Sequence, residues 1–198
     1  MSSTTLDAGK AIKIHGHVSA TPEMIAGLLG GKVSDTVDSD CDLAIFTINP
    51  AAGIDSQTID LWRGYDEYQT PRMVLISVLD GVEMDFDDGV LIANRVFDQV
   101  VTPFLVLHGE SGTPIGTISL RDLTTCDYSK NPPVIEPADS ELIEMVQDFR
   151  EEYLEQMEGM DDTAFAAGII FPAIPINISN RLGFDIVKRY LDLLPSSS

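Results

Sequence analysis

Four closely spaced carboxylates in the segment DTVDSDCD are the residues with the most evident capacity for chemistry. They are Asp35, Asp38, Asp40 and Asp42. Carboxylate oxygens are preferred ligands of Ca²⁺ and Mg²⁺, so the cluster could hold a divalent ion in a small α/β enzyme. Its place would be the carboxyl ends of parallel strands, where open sheets bind ligands. Acidic, turn-rich segments are more often solvated surface loops, and the sequence leaves both interpretations open.

The two thiols offer less chemistry. Cys41 and Cys126 stand in ordinary sequence, with no CxxC pair and no histidine beside them. This arrangement argues against a zinc site and against a disulfide framework. We expect both cysteines to be free thiols.

The charge of the chain excludes several classes of partner. Twelve basic residues stand against 32 acidic ones, which gives a formal net charge of −20. Such a field repels phosphate backbones and anionic lipids, so direct binding to nucleic acid or membranes is not expected. No apolar run approaches the ~20 residues of a membrane span, and the start MSSTTLDAGK lacks the apolar core of a signal peptide. We expect a soluble, cytoplasmic protein.

The alternation of apolar runs and amphipathic segments predicts an α/β fold. LAIFTIN (43–49) and RMVLISVL (72–79) are continuous apolar runs, typical of strands buried on both faces of a parallel sheet. Between them, apolar residues at three- and four-residue spacing predict a helix capped by Asp55 or Ser56. Other strands are predicted at 11–14, 103–109 and 168–176, and other helices at 21–31, 85–101, 138–159 and 182–194.

The order of these elements predicts how the chain is divided. We expect a three-layer domain formed by residues 1–108 and 167–198, with the 103–109 strand as a further member of its mostly parallel sheet. Residues 109–166 are expected to form an α+β insertion, because 112–129 alternates and contains turn residues.

Several imperfect matches in the correct order resemble the GTP-binding domain of translation elongation factor G and related translational GTPases. AIKIHGHVSATPEMIAGLLGGKV resembles the strand, GHVDxGKTT pattern and helix that open the domain. LAIFTINPAAGIDSQTIDLWRGYDEYQTPRMVLISVLD is similar to the stretch that leads to the guanine-reading strand. GIIFPAIPINISNRLGFDIVKRYLDLLPSSS resembles the last strand and helix, and the middle, with TPF and GTISL, resembles the family's inserted subdomain. The match covers residues 11–195 and implies a P-loop-GTPase-like fold without the later domains of elongation factor G.

The phosphate-binding loop that this resemblance implies is eroded. Such a loop needs glycines for close approach to phosphates, a lysine, and a hydroxyl for Mg²⁺. Only Gly16 is kept, since Thr21, Pro22 and Glu23 replace the second glycine, the lysine and the hydroxyl. Pro22 also removes a backbone donor, while Glu23 adds a negative charge. Together with Thr21 as cap, the same residues make a good helix start.

The guanine-reading residues implied by the resemblance are also reduced. Of the Asn-Lys-x-Asp motif only Asp80 is kept, and a turn or capping role explains it equally well. The second base-binding segment falls at Asn177 and Ile178, where the usual Ser-Ala pair is absent. We therefore name Gly16 and Asp80 as vestigial nucleotide-binding residues.

The switch regions are the third eroded part. The resemblance implies two switches between the first helix and the 43–49 strand, but only residues 30–42 fill this gap. His15 and His17 lie in the preceding loop, away from the position of the family's catalytic histidine. We expect both to be partly exposed turn residues, and we assign no catalytic residue and no metal ligand.

Three functions follow as hypotheses. The first is a pseudo-GTPase without enzymatic activity and without a tightly bound cofactor, which acts through a protein partner related to translation. Because the later domains are not in this sequence, translocation is not expected, and exposed apolar surface favours self-association. The second is a residual binder of GTP or GDP, or a slow GTPase, that uses Gly16 and Asp80. The third is the metal-dependent α/β enzyme described above.

Overall fold

The computed structural model describes residues 9–79 and 85–195 as two sheets with helices packed on them. The strands of the described residues are β1 (Ile12–His15), β2 (Lys32–Val33), β3 (Leu43–Ile48), β4 (Arg72–Ser77), β5 (Phe104–His108), β6 (Pro114–Ser119), β7 (Thr124–Asp127), β8 (Val134–Pro137) and β9 (Ala173–Ile176). The α-helices are α1 (Pro22–Leu29), α2 (Ser56–Gly64), α3 (Phe86–Val96), α4 (Ser140–Met145), α5 (Gln147–Gln156), α6 (Thr163–Ala166) and α7 (Phe184–Leu193). Short 3-10 helices span Val18–Ala20 and Asp66–Tyr68.

The larger sheet is parallel, with strand order β2-β1-β3-β4-β9. Every residue of β3 and β4 is buried, because helices cover both faces. Side chains of β3 alternate between the faces: Leu43 and Ile45 pack with α1 and α7, whereas Phe46 and Ile48 pack with α2 and α3. The expected three-layer α/β architecture is confirmed.

Helices α2 and α3 begin with side-chain caps, whereas α1 begins without one. The Asp55 carboxylate accepts a hydrogen bond from the Thr58 N–H (2.8 Å), as expected of the cap of α2. Helix α3 begins with a reciprocal capping box between Asp85 and Asp88. Thr21 occupies the cap position before Pro22, the first residue of α1, as predicted, but it adopts a left-handed conformation (φ 51°) and its side chain makes no capping bond.

The 103–109 strand leaves the parallel sheet, which corrects the expectation that it extends that sheet. Val101 pairs with the segment before β9: its N–H donates to the Phe171 carbonyl (3.0 Å), and its carbonyl accepts from Ala173 (2.8 Å). Continuing this ladder would require donors from Pro103 and Pro175, and proline has no N–H. The pairing stops there, and the chain enters a second sheet as β5.

That second sheet is antiparallel, with strand order β5-β6-β7-β8. The helix predicted over 138–159 is two helices, α4 and α5, which meet at buried Val146. These helices cover one face of the sheet, while Cys126 and Tyr128 on the other face join the core beneath α2 and α3. The division into residues 1–108 with 167–198 and an insertion at 109–166 stays a prediction, although β5 pairs with the inserted strands.

A buried arginine at the start of β4 holds two aromatic side chains in place. The Arg72 guanidinium lies between the rings of Trp62 and Phe171, 4.6 and 4.4 Å from their centroids. Its Nη1 donates to the Trp62 carbonyl oxygen (2.8 Å) and pairs with an Asp66 carboxylate oxygen (2.7 Å). Because Arg72 is 3% exposed, these contacts compensate a charge that water barely reaches.

Arg72→Lys should lower the free energy of unfolding by about 2–3 kcal/mol, because an ammonium group lacks the planar surface that stacks between two rings. Urea denaturation followed by circular dichroism measures the change. Arg63→Lys, on the exposed surface of α2, is the matched control and should change the value by less than about 0.5 kcal/mol. Equal midpoints for wild type and Arg72→Lys would contradict this assignment.

Candidate functional site

The loop between β1 and α1 is where the sequence places a phosphate-binding site. It forms the short 3-10 helix Val18–Ala20, followed by Thr21 in the left-handed conformation. Three successive N–H groups are engaged within the loop: Ser19 donates to His17 Nδ1 (3.2 Å), Ala20 to the His17 carbonyl (2.9 Å) and Thr21 to the Val18 carbonyl (3.0 Å). Pro22 follows without a donor. These backbone groups therefore do not point towards an open anion site.

Neighbouring strand ends fix this loop in place. The Thr47 hydroxyl donates to the His15 carbonyl (3.1 Å), and the Asn49 amide donates to the Ser19 carbonyl (3.1 Å). Gly16 has φ 144°, and a Cβ there would lie closer than 3 Å to both Oγ1 and the carbonyl oxygen of Thr47. The close approach of β1 and β3 thus explains Gly16 without a nucleotide.

A surface cavity of about 500 Å³ opens beside the loop. Its lining includes the carboxylates of Glu23, Asp35 and Asp55, and none of the described residues that line it is Lys or Arg. Partial burial opposes ionisation of Asp55, but hydrogen bonds from the Thr58 N–H and hydroxyl outweigh it and lower the pKa of Asp55. The cavity therefore presents negative charge where the resemblance would place phosphates.

His15 is fully buried, which corrects the expectation of a partly exposed turn residue. Its Nδ1 lies 2.7 Å from the Ser34 carbonyl oxygen, so Nδ1 donates the proton. Its Nε2 lies 2.9 Å from the Tyr65 hydroxyl and accepts from it. Burial lowers the pKa of His15, and the positive charge of nearby Lys13 adds to this, against the bond to Ser34. His17 is exposed, as expected.

The short segment between α1 and β3 packs against the sheet. Lys13 on β1 forms an ion pair with Asp38 (2.7 Å), whose N–H donates to the Tyr65 hydroxyl (3.3 Å). The Lys13 bond, followed by one from the Asp40 N–H, lowers the pKa of the Asp38 carboxyl. Asp42 accepts a hydrogen bond from the Ala11 N–H (2.7 Å). These carboxylates serve the local fold of the segment.

The metal-site alternative finds no support in this arrangement. Among residues 9–79 and 85–195, no group of three or more His, Cys, Asp or Glu side chains is placed to hold a metal ion. The expected free thiols are found: Cys41 and Cys126 are both unpaired and buried, and burial raises the pKa of Cys41 to about 11.

A buried amide, that of Asn177, lies in the region implied to read guanine. Asn177 donates from Nδ2 to the Val78 carbonyl (2.9 Å), and its Oδ1 accepts from the Ser179 N–H (2.9 Å). This side chain joins the end of β4 to the end of β9. Asp80 lies outside the described residues, so its assignment as a vestigial nucleotide contact stays a prediction, as does that of Gly16.

Sequence reasoning missed the groups that close the loop. Thr47 and Asn49 at the end of β3 act on a loop about 30 residues earlier in the chain, as the separations of 32 and 30 residues show. A polar pair at the end of an otherwise apolar strand was the available signal, because such side chains commonly bond to neighbouring backbone.

Comparison with known proteins supports the relation to translational factors. No protein-family model matches the chain. Mitochondrial ribosome-releasing factor 2 of Drosophila persimilis is 26% identical over 153 residues, which cover 71% of this chain and 20% of that protein. The factor of the same name from Anopheles gambiae is 25% identical over 179 residues, covering 88% and 23%. The chain is similar to ribosome-releasing factor 2. It spans between 20% and 23% of the length of these relatives.

A solved structure shares the fold. The crystal structure of a protein from Thermus thermophilus matches with a TM-score of 0.64 and 20% identity, covering 80% of this chain and 27% of that one. No helix within the described parts of the chain is long and apolar enough to cross a membrane. Because the relatives are named as mitochondrial, a cytoplasmic location for this chain stays a prediction.

Gly16→Ala should destabilise the fold by about 1–3 kcal/mol, because the added methyl group overlaps Thr47. Gly27→Ala is the control: its Cβ would meet nothing within 4 Å on α1, and alanine should stabilise the helix by about 0.5–1 kcal/mol. Urea denaturation measures both changes. A tolerated Gly16→Ala would show that the contact with Thr47 does not constrain this position.

The buried imidazole of His15 predicts a pH dependence. Since the folded-state pKa lies below the ordinary value of 6.5, the unfolded chain binds the proton more readily. The stability from neutral His15 is complete above about pH 6.5 and falls below it, by up to about 1.4 kcal/mol per pH unit. His15→Gln should flatten the stability profile between about pH 7 and 5. Parallel profiles for wild type and His15→Gln would refute the prediction.

Proposed function

We propose that this chain is a pseudo-GTPase domain related to elongation factor G and ribosome-releasing factors, which acts by binding a protein partner in translation. The observation that supports it best is the closed loop between β1 and α1. Ser19, Ala20 and Thr21 all donate their N–H groups within that loop. A domain that works through phosphate binding keeps such donors available for the ligand.

Opening the loop for a phosphate would cost several interactions at once. Each intraloop hydrogen bond contributes about 0.5–1.5 kcal/mol, and the bond from Asn49 to Ser19 would be strained with them. No lysine at position 22 would offset this cost, since the position is Pro22. The loop geometry thus favours a fold that is complete without nucleotide.

The negative charge of the adjoining cavity also opposes nucleotide binding. Glu23, Asp35 and Asp55 line the adjoining cavity without a cationic partner among its described lining residues. A triphosphate would enter a field of its own sign, in a chain of net charge −20. Weak binding of GTP or GDP is the alternative function, and nucleotide titration separates it from the proposal.

The partner is proposed from similarity and surface. Relatives named ribosome-releasing factors support a partner in translation, and exposed apolar side chains on the helices of both sheets offer surface for protein contact. Self-association is a further way in which such surface can be covered, and sedimentation of the purified chain tests it.

Thermal unfolding of the whole chain with about 1 mM GTP, GDP or ATP, with and without Mg²⁺, should show no rise in Tm, because a ligand that binds the native state must stabilise it. Isothermal calorimetry under the same conditions should show no binding heat. Stabilisation by guanine nucleotides but not by ATP would instead establish the alternative, a residual guanine-nucleotide binder.

A charge-removing variant separates the two physical reasons for the absence of binding. Glu23→Gln combined with Asp35→Asn removes two of the three carboxylates of the cavity and leaves the loop hydrogen bonds unchanged. We expect GTP to leave the Tm of this variant unchanged as well, because the loop donors stay engaged. A Mg²⁺-dependent rise would show that repulsion, and not loop closure, prevents binding.

A further inference from the structure

An open apolar groove runs between α3 and α5, away from the loop after β1. Two adjoining cavities of about 310 and 120 Å³ form it, and Asp87, Leu105 and Phe149 line both. Leu91 on α3 is 58% exposed and Phe149 on α5 is 47% exposed, so each wall presents a large apolar side chain. Strand β5 supplies the floor through Leu105. We call this feature the α3–α5 groove.

The rim of the α3–α5 groove is acidic. Asp85 and Asp87 stand at the α3 end, and Glu152 stands on the α5 side. Among the described residues that line the two cavities, none is Lys or Arg; the arginines of these helices, Arg95 and Arg150, line neither. Arg150 instead donates to the Leu120 carbonyl (3.1 Å). The groove thus combines an apolar floor with several carboxylates, and His108 is the one basic side chain in its described lining.

The excess of negative charge in the groove affects the pKa of the Asp87 carboxyl group. Partial burial in the groove raises its pKa, and repulsion from Asp85 and Asp88 adds to that effect. His108, at the end of β5, acts in the opposite direction. A cation brought into the groove would relieve the repulsion among these carboxylates.

We propose that the α3–α5 groove binds a cationic amphipathic segment of a partner protein, with apolar side chains against Leu91 and Phe149 and Lys or Arg beside Asp87 and Glu152. This inference rests on the proposed protein-binding role. A helix lying in a groove is a recurrent mode of peptide recognition, and α3, with 11 residues, is about 16 Å long, enough to face two or three helical turns.

Charge distinguishes this occupant from the others. Nucleic acid and anionic lipid would bring phosphates to the acidic rim. A second copy of this chain would bring a net charge of −20 against another −20. The same negative field attracts a basic segment, which favours its binding and accelerates its encounter with the groove.

Fluorescence anisotropy of the full chain tests the proposal with a labelled helical peptide of about 14 residues that carries Leu on one face and Lys and Arg elsewhere. A matched peptide with Glu in place of every basic residue serves as the first control. Near physiological salt, the basic peptide should bind and the acidic one should not. Absence of binding by the basic peptide, or equal binding by both, overturns the proposal.

Variants locate the site. Leu91→Ser with Phe149→Ser should weaken binding at least about tenfold, and Asp87→Asn with Glu152→Gln about threefold. Met24→Ser with Ile169→Ser is the control for the apolar variant, and Asp60→Asn with Glu158→Gln is the control for the charge variant. All four control positions are exposed and lie outside the lining of the groove. Each control should change affinity less than about twofold. Equal losses in groove and control variants would mean that the peptide responds only to net charge, which refutes the groove.

The substituted groove side chains are exposed, and thermal melts confirm that each variant is folded before its affinity is compared. Nucleotide titration tests the closed loop and peptide titration tests the groove, so either proposal can fail while the other stands. If the loop opens and the groove is a binding site, nucleotide and basic peptide both bind. If the loop stays closed and the groove is not a binding site, neither binds.

Discussion

The fold depends on one constraint: strands β3 and β4 are buried over their entire length, and each needs apolar cover on both faces. Parallel strands meet this need only when helices lie on both sides of the sheet. Helices α1 and α7 cover one side, and α2 and α3 cover the other. The carboxyl ends of the strands are thereby brought to one edge, where the loop after β1 lies beside Thr47 and Asn49.

In nucleotide-binding domains a bound phosphate accepts hydrogen bonds from the loop N–H groups at this edge. In this chain, acceptors within the loop itself take that place. Loop N–H groups need acceptors, and here His17 and Val18 supply them. Asn177 does the same for the ends of β4 and β9. These described polar groups are engaged without phosphate or base. On the proposed function, recognition uses other surfaces, where apolar side chains are exposed among carboxylates.

Local patterns are sufficient for much of this structure. The continuous apolar runs at 43–49 and 72–79 predict β3 and β4, because burial on both faces leaves no room for polar alternation. Asp55 is predictable as a cap because its bond to Thr58 spans only three residues. The relation to translational factors comes from the order of several weak matches, which local physics alone does not supply.

Other features could not be predicted from the sequence, because they depend on contacts between residues that are distant in the chain. The burial of His15 requires Ser34 and Tyr65, which are 19 and 50 residues away. The departure of β5 from the parallel sheet depends on the missing N–H groups of both Pro103 and Pro175, which stand 72 residues apart in the chain. Thr21 makes no side-chain capping bond, since the same residue also ends the preceding 3-10 turn in a left-handed conformation that the helix-start pattern did not predict.

Pro103 and Pro175 also affect how the halves of the molecule are joined, because neither can donate a backbone hydrogen bond. A hydrogen-bond ladder resists shear because every rung must break, whereas packed side chains can slide by small steps. Among the described residues, the ladder that leads from β9 towards the antiparallel sheet has a single bridge, at Val101. Beyond it, side chains join the halves: the Asn180 amide donates to the Pro114 carbonyl, and the Tyr128 hydroxyl donates to Asp185. The join between the two sheets therefore depends on side chains more than on backbone pairing, so a substitution at Asn180 or Tyr128 acts on the way in which the halves meet.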